Sequence, residues 1–408
     1  MTTIDDSLDL VVRDLEAGQW AAARAGAERL LEAYPEEPRA LQCLGLAHYF
    51  AGSLPEAVRC LRQAAALVPD DGDCQARLGM VLQESLDYAG AITAHERALA
   101  LAPDDPSAWN NLGLCHWNLG RSDRALEAYG KALSNAPRFP EANFNKGLAH
   151  AGRAELDLAR GALERTLELQ PDRAEAHLYL AAVLSEAGQE QQAAAQLEAF
   201  RAERGTGHWL ADSWEYARRH RGPETGVLFD GPGTVLQAAL NRAQVDGLVA
   251  EFGVAHGNTI NTIARHAGQP VHGFDAFEGL PERWGDLPAG AYSLDGLLPD
   301  VLDNVELHVG WFEDTVPGFL EQEPGALRLA NVDCDLYGST RTVFQALGER
   351  VRPGSVFVFD EYFMGEDWRK HEYRAFQEAV EAFGWAYEYR ALSILTRQTV
   401  IEVTAVNH

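Results

Sequence analysis

Small and apolar residues in the first half of the chain recur with a period of 34 residues. Prolines mark the period at Pro35, Pro69, Pro103, Pro137 and Pro171. In the same phase, a small residue recurs in one predicted helix and an alanine recurs in the next, at positions Gly45, Gly79, Gly113, Gly147 and Ala181 and at positions Ala23, Ala57, Ala91, Ala125, Ala159 and Ala193. A fixed period of this length predicts stacked helix pairs, because a single pair cannot bury its apolar face alone. We therefore expect about six helix pairs over residues 3–204.

This period, with large residues at Trp109, Leu112 and Tyr129, resembles the tetratricopeptide repeat. The resemblance implies an all-α solenoid with a concave groove. Such a groove suits a protein or peptide partner, and self-association into a homo-oligomer is equally open.

Asparagines predict polar contacts in that groove. Asn111 and Asn145 occupy matching positions of consecutive repeats, where they could hold the backbone of a ligand. The alternative is that they are an ordinary polar lining. Family members that clamp a carboxylate use lysines and arginines on the first helices, whereas Asn110 and Phe144 stand at those positions here. A carboxylate ligand of that kind is therefore not expected.

The second half alternates apolar runs with helical stretches such as Thr259–Ala267 and Ser339–Val351. The runs, each bounded by turn residues, are Gly247–Gly253, Val271–Asp275, Val305–Val309, Leu327–Asp333, Ser355–Asp360, Trp385–Leu392 and Thr396–Thr404. Alternation of this kind predicts an α/β, doubly wound, Rossmann-like domain with a parallel sheet.

Composition changes between the two halves and places a connector there. Glycine and proline are frequent over residues 205–233, where a short helical pattern, His208–His220, interrupts them. We therefore predict a repeat array at 1–204, a connector at 205–233 and an α/β domain at 234–408, whose first helix is Thr234–Val245.

Charge and composition exclude several classes of function. The 408 residues carry a net charge of −27, which would repel a nucleic acid backbone. No apolar run approaches the roughly 18–20 residues of a membrane span, so no membrane partner is expected. The five cysteines are scattered and form no CxxC pair, which fits a reducing compartment. These features predict a cytoplasmic protein.

Candidate chemistry lies where the predicted strands end, because parallel sheets bind ligands at the carboxyl ends of their strands. The first run ends with Glu251 and a turn that contains Gly253 and Gly257, which allow a ligand to approach the backbone closely. The second run ends at Asp275, 24 residues after Glu251, where a carboxylate can accept both ribose hydroxyls of a nucleoside.

Acidic residues also follow the fourth and fifth runs. Asp333 and Asp335 come after one strand, and Asp360 and Glu361 come after the other. Unpaired carboxylates at one edge would raise each other's pKa, and a hard divalent cation would relieve that conflict. Oxygen ligands in this number favour magnesium. The alternative is that one acid caps the following helix and the others are solvated.

Ordered sequence blocks over residues 246–403 resemble class I methyltransferases related to the macrocin O-methyltransferases of antibiotic biosynthesis. The blocks are EFGVAHGNT at 251–259, GFDAFEGLPE at 273–282, GWFEDTVP at 310–317, DCDLYGST at 333–340, PGSVFVFDEYF at 353–363 and HEYRAFQE at 371–378. The resemblance implies S-adenosyl-L-methionine as cofactor, bound by Glu251, Gly253, Gly257, Asn258, Thr259, Asp275, Ala276, Phe277, Phe312 and Glu313. It implies Mg²⁺ as the metal, held by Asp333, Asp360 and Glu361.

The sequence departs from the macrocin pattern at three positions. Glu361 stands where those enzymes commonly have Asp, Gly338 where they have Glu, and Ala276 where Ser is usual. The step of 27 residues from Asp333 to Asp360 agrees with the family, so Asp333 is preferred to Asp335 as a metal ligand.

These features predict an S-adenosylmethionine-dependent O-methyltransferase that acts, with Mg²⁺, on a hydroxyl of a sugar, polyol or natural-product acceptor. Asp333 is the first candidate for the catalytic base, and His256 and His371 are weaker ones. The stretch 283–299, with Trp284 and Tyr292, predicts a loop over the substrate. Two alternatives stay open: a protein or peptide methyltransferase whose repeat groove presents the substrate, and a non-enzymatic scaffold.

Overall fold

The structure is a computed structural model that describes residues 4–285, 287–294 and 296–407. It divides into two compact units, and the division falls inside the repeats. One unit contains the described residues up to His116 together with Glu127–Phe139, and the other contains Trp117–Leu126 and the described residues from Pro140 onward. Helices α9–α12, the last two predicted pairs, therefore belong to the same compact unit as the sheet. The domain boundaries predicted from the sequence stay predictions.

Twelve helices form six consecutive pairs in the described part of the repeat region. Their bounds are α1 Ile4–Glu16, α2 Trp20–Ala33, α3 Pro38–Phe50, α4 Leu54–Leu67, α5 Gly72–Glu84, α6 Tyr88–Leu101, α7 Pro106–Asn118, α8 Ser122–Asn135, α9 Pro140–Gly152, α10 Leu156–Leu169, α11 Ala174–Glu186 and α12 Glu190–Arg204. The helical solenoid predicted from the 34-residue period is confirmed.

The small residues of the repeat let the two helices of a pair approach closely. The alanine of each second helix is buried, and five of the six, Ala23, Ala57, Ala91, Ala125 and Ala159, have no exposed surface. On the first helix of the fifth pair, a Cβ added at Gly147 would lie 2.9 Å from Cγ of Leu163. The small residues that recur every 34 positions thus lie where the two helices of each pair are in close contact.

The second unit continues with two helices and a seven-stranded sheet. The helices are α13 Trp209–His220 and α14 Pro232–Arg242, followed within the sheet region by α15 Asn258–Ala267, α16 Phe312–Gln322, α17 Tyr337–Leu347 and α18 Glu372–Phe383. The strands are β1 Leu248–Phe252, β2 Val271–Asp275, β3 Val305–Val309, β4 Leu327–Val332, β5 Val356–Phe359, β6 Trp385–Leu392 and β7 Thr399–Val406. No helix in the described residues is long and apolar enough to cross a membrane.

The sheet order is β3-β2-β1-β4-β5-β7-β6, with β1 at the centre of the parallel part. Strands β1 to β5 pair in parallel, as predicted, whereas β7 pairs antiparallel with β5 and with β6. The antiparallel direction follows from the short connection between β6 and β7, because a parallel return needs a long crossover. The ends of β1, β2, β4 and β5 therefore lie along one edge of the sheet.

Helix α13, predicted as part of a connector, is built into the second unit. The Tyr216 hydroxyl lies 2.7 Å from the Tyr389 hydroxyl on β6, which lies 3.0 Å from the Tyr362 hydroxyl. At the other end of the helix, the Asp212 carboxylate accepts a hydrogen bond of 3.1 Å from Nε1 of Trp368 and pairs with Arg369. These contacts hold the segment that follows Glu361 in place.

Alanine substitution at two glycines on neighbouring helices distinguishes the effect of close packing on stability from the effect of helix propensity. Gly147→Ala should lower the free energy of unfolding by about 1–3 kcal/mol, because its methyl group would overpack the buried Leu163. Gly161→Ala is the matched control, since Gly161 is exposed on α10 and its Cβ would meet no atom within 4 Å. It should raise stability by about 0.8–1 kcal/mol. Urea unfolding measures both, and the same sign for the two variants would contradict the packing argument.

Candidate functional site

The turn after β1 lies against the end of β4. The Gly253 N–H donates to the Phe274 carbonyl oxygen on β2 at 3.0 Å, and the residue has a φ of +92°. A Cβ at this position would collide with the carbonyl oxygen of Asp333. Gly257, with a φ of +76°, ends the turn and precedes α15. Glycine is therefore required at residue 253 both by backbone conformation and by space.

Asp275, at the end of β2, organises this turn. Its Oδ2 accepts hydrogen bonds from the backbone N–H groups of Val254, at 2.8 Å, and Ala255, at 2.9 Å. Its Oδ1 accepts from the N–H of Phe277 at 2.7 Å. A carboxylate has about four lone-pair sites, so these three bonds leave about one, on Oδ1, for a ligand hydroxyl. The structure thus gives Asp275 a positioning role that the sequence did not predict.

Glu251 is a fully buried acid in the middle of the sheet. Its Oε1 accepts a hydrogen bond of 2.8 Å from Nδ2 of Asn331 on β4, and its Oε2 has no hydrogen-bond partner among the described residues. Burial raises the pKa of Glu251 to about 8. The role of Asn331 was missed, although its position two residues before Asp333 on a buried strand is a usable signal.

Four acids follow β4 and β5 and are half-buried: Asp333, Asp335, Asp360 and Glu361, here called the acidic rim. Burial raises the pKa of all four carboxyls, and their mutual repulsion adds to the effect at Asp333 and Glu361. The pKa of Asp335 rises to about 7. Asp335 also has a φ of +59°, a strained conformation for a residue other than glycine.

Sequence reasoning missed a fifth acid, Glu372, in the first turn of α18. The side chain is 1% exposed, and no hydrogen bond of good geometry reaches either carboxyl oxygen from the described residues. Burial raises its pKa, and the nearby Asp335 and Asp360 raise it further, while the backbone N–H groups of Cys334 and Glu361 lie near enough to lower it. The residue lies in the quoted HEYRAFQE block, but an acid in the first turn of a helix is ordinarily read as a partner of the helix dipole.

Residues of the β6–β7 turn partly offset the negative charge of the acidic rim. Nε2 of Gln398 donates to Oδ1 of Asp360 at 2.6 Å, and the positive charge of Arg397 lowers the pKa of both Asp360 and Glu361. Neither residue was predicted, because each reaches the rim through the antiparallel return of β7.

Comparison with known proteins agrees with this arrangement. A family model described as Tetratricopeptide repeat matches residues 8–72, 76–138 and 116–162, and one described as Methyltransferase domain matches residues 250–362. The chain carries tetratricopeptide repeats and a methyltransferase domain. The matched segment of the methyltransferase domain runs from β1 to Tyr362 and so includes the glycine turn and the acidic rim.

Several proteins resemble parts of the chain. A curated relative from Streptomyces olivaceus, 8-demethyl-8-(2,3-dimethoxy-alpha-L-rhamnosyl)-tetracenomycin-C 4'-O-methyltransferase, is 30% identical over 156 residues, which cover 33% of this chain and 56% of the relative. The chain thus spans about half the length of this relative. Among solved structures, MamA is 27% identical with a TM-score of 0.38 and covers 43% of this chain and 99% of its own. The calicheamicin methyltransferase CalS11 is 24% identical with a TM-score of 0.33 and covers 38% and 73%.

The other predicted cofactor residues line the same edge of the methyltransferase domain. Asn258 and Thr259 begin α15, directly after the glycine turn, and Ala276 and Phe277 follow β2. Phe312 and Glu313 begin α16; the ring of Phe312 packs edge-on against Phe252 of β1 at 5.8 Å between centroids. These residues follow the carboxyl ends of β1, β2 and β3, and their roles stay predictions.

The two candidate histidines occupy different surroundings. His256 lies half-buried in the turn after β1. His371 precedes α18, and its Nε2 lies 3.2 Å from Oδ1 of Asp367. His371 thus lies beside a carboxylate outside the acidic rim, and the roles of both histidines stay predictions.

The predicted substrate loop reaches the acidic rim. Burial raises the pKa of the Tyr292 phenol, and the nearby Asp335, Glu361 and Asp333 raise it further. Backbone N–H groups of Leu294 and Gly296 donate to the carbonyl oxygen of Phe277, each at 3.2 Å, and tie the loop to the end of β2. Asp286 and Asp295 of this loop lie outside the described residues.

The oxygen donors of the acidic rim suit a hard cation, but the rim acids are not among the close groups of three potential ligands in the described residues. Carboxylate oxygens are the ligands that Mg²⁺ prefers, and Oε2 of Glu361 is buried without a hydrogen-bond partner among the described residues. However, the only described group of three potential ligands whose atoms all lie within 4.8 Å of one another is His272, Glu306 and His308. The metal role of Asp333, Asp360 and Glu361 therefore stays a prediction.

The raised pKa of Glu251 predicts a pH-dependent stability difference. Between about pH 4, the pKa of an unfolded Glu, and pH 8, the folded protein binds the extra proton, so this group favours folding less as the pH rises. Glu251→Gln lacks the titration. The melting temperature of Glu251→Gln minus that of the wild type should therefore rise between about pH 5 and pH 9. Both are measured in the presence of a chelator. Glu282→Gln, at an exposed acid, is the control and should show a constant difference. A difference in melting temperature between Glu251→Gln and the wild type that does not change with pH would contradict the raised pKa of Glu251.

Proposed function

We propose that the chain is an S-adenosylmethionine-dependent O-methyltransferase that acts on a hydroxyl of a sugar, polyol or natural-product acceptor. The observation that supports it most directly is the contact between Gly253 and the backbone of Asp333. This contact brings the turn proposed for the cofactor beside the acids proposed for the acceptor. The Streptomyces relative, named as an O-methyltransferase of a rhamnosyl group, favours a sugar hydroxyl.

The residues around the glycine turn fit S-adenosylmethionine, which would supply an electrophilic methyl group. Oε2 of Glu251 is buried and has no hydrogen bond of good geometry among the described residues, although the Thr259 side chain is near enough to lower the pKa of this carboxyl. A bound ligand can satisfy an acceptor of this kind. Asp275 holds the turn in place through its bonds to Val254 and Ala255 and keeps about one lone pair, on Oδ1, for a ribose hydroxyl. Phe277 and Phe312 would flank the adenosine.

The acidic rim fits the acceptor side of the reaction. Asp333, Asp360 and Glu361 would hold Mg²⁺, which would lower the pKa of an acceptor hydroxyl and orient it. Gln398 donates to Oδ1 of Asp360 and fixes the orientation of that carboxylate. Tyr292, near three of the rim acids, would cover the bound acceptor and exclude water.

Two aspartates can accept the acceptor proton. Asp333 is the candidate from the sequence, and its backbone lies against Gly253 of the glycine turn. Asp335 is the candidate that the structure adds, since a pKa of about 7 suits a base at neutral pH. Asp335 is also outside the predicted metal set, so its proton acceptance would not compete with metal binding.

Asp333→Asn should reduce turnover by at least about 100-fold, the range of a lost general base, and leave the affinity for S-adenosylhomocysteine within a few-fold. Radiolabelled methyl transfer to sugar-bearing acceptors, together with calorimetry, measures both. Asp303→Asn, at an exposed acid before β3, is the control. Full activity of Asp333→Asn, or of the wild type in excess chelator, would contradict the metal-assisted mechanism. Label incorporated only into a polypeptide would favour the protein methyltransferase instead.

Gly253→Ala should weaken binding of S-adenosylhomocysteine by more than about tenfold, because its Cβ would displace the Asp333 carbonyl and open the turn. Gly268→Ala is the matched control: Gly268 also has a positive φ, +67°, but its Cβ would meet no atom within 4 Å. Both variants carry similar backbone strain, and only Gly253→Ala carries the collision. Equal affinities of the two variants in calorimetric titration would remove the turn from the cofactor site.

A further inference from the structure

Two histidines and a glutamate meet on the face of the sheet that α16 covers, away from the acidic rim. His272 lies on β2, and Glu306 and His308 lie on β3, the edge strand. His272 pairs in register with Glu306, and His308 is two residues further on. Because side chains alternate along a strand, all three project to the same face.

The three side chains have the spacing of metal ligands. Nδ1 of His272 lies 3.3 Å from Nε2 of His308 and 3.6 Å from Oε2 of Glu306, and the three atoms lie within 4.8 Å of one another. Two nitrogens bound tetrahedrally at about 2.0–2.1 Å from zinc are roughly 3.3–3.4 Å apart. A single N–H···N bond would also explain the histidine pair, but it leaves the carboxylate at the same nitrogen without a bond.

Aromatic packing holds both imidazoles in this orientation. The His308 ring stacks on Phe274 at 4.6 Å between centroids, and the ring of Phe319 on α16 lies 4.6 Å from His272 and 4.8 Å from His308. The rings are therefore positioned before any ligand arrives.

The site also has access from outside. Glu306 is exposed, and together with His308 it lines an open pocket of about 440 Å³ against α16. Glu323, at the end of α16, lines the same pocket, and its charge acts on His272. Glu323 or water can supply a fourth ligand.

We infer that His272, Glu306 and His308 form a binding site for a zinc-class divalent cation, separate from the proposed magnesium site. Nitrogen donors select such ions, whereas the rim offers only oxygen. A bound ion would join β2 to β3, the strand that precedes α16. The first turn of that helix carries Phe312 and Glu313.

Cobalt is a suitable probe, because tetrahedral Co²⁺ with nitrogen ligands gives visible ligand-field bands. The full chain is saturated with Mg²⁺ to occupy carboxylate sites and is then titrated with CoCl₂. The wild type should develop the bands, and Zn²⁺ should abolish them by displacement. His308→Gln and Glu306→Gln should weaken cobalt binding by more than about tenfold, since even outer-shell changes at metal sites reach that range.

Two controls locate the ion. His266→Gln, at an exposed histidine on α15, and Asp333→Asn, on the acidic rim, should both keep the bands at wild-type affinity. Zn²⁺ should also raise the melting temperature of the wild type and of these controls, but not of Glu306→Gln, whose exposed position leaves folding intact. Absence of bands in the wild type at millimolar cobalt would overturn the site. Wild-type affinity in both His308→Gln and Glu306→Gln would overturn it as well.

Discussion

The burial of like charges at the ends of β4 and β5 is the constraint on which the methyltransferase domain depends. Burial raises the pKa of five acids, Asp333, Asp335, Asp360, Glu361 and Glu372, because it denies their charges the screening of water. The charge of Asp360 raises the pKa of the other four further. Such a group of acids is costly to fold around unless protons or a cation neutralise it. Gln398 and Arg397, which stabilise the negative charge of Asp360, lie in the turn between the last two strands, β6 and β7.

This constraint explains why the sheet needs its antiparallel return. Strand β7 pairs with β5, and the turn before it brings Gln398 to Asp360 and Arg397 near Glu361. Helix α13 supports the same region from the other side through Tyr216, Tyr389 and Tyr362. The acidic rim thus follows β4 and β5 in the chain, but it is held by α13, which precedes the sheet, and by the turn before the last strand.

The sequence predicted features that depend on local order along the chain. The proline period marked the helix pairs, and the alanines in phase with it are buried. The ends of the apolar runs marked the edge where Asp275 and Asp333 lie. What it could not predict arises from contacts between distant segments. Asn331 with Glu251, Gln398 with Asp360, and the meeting of His272 with His308 require knowledge of strand neighbours, which no local pattern contains.

The three tyrosine hydroxyls of α13, β6 and the segment after β5 also have a consequence for how such a protein can be recombined. A gene fusion or domain exchange that cut at the loss of repeat periodicity, near Arg204, would carry α13 along with the catalytic module. A cut between α13 and β1 would strip Tyr389 and Tyr362 of their buried neighbour Tyr216. A transferable module therefore has to include α13, which with α14 precedes its first strand, and α9–α12 share its compact unit as well.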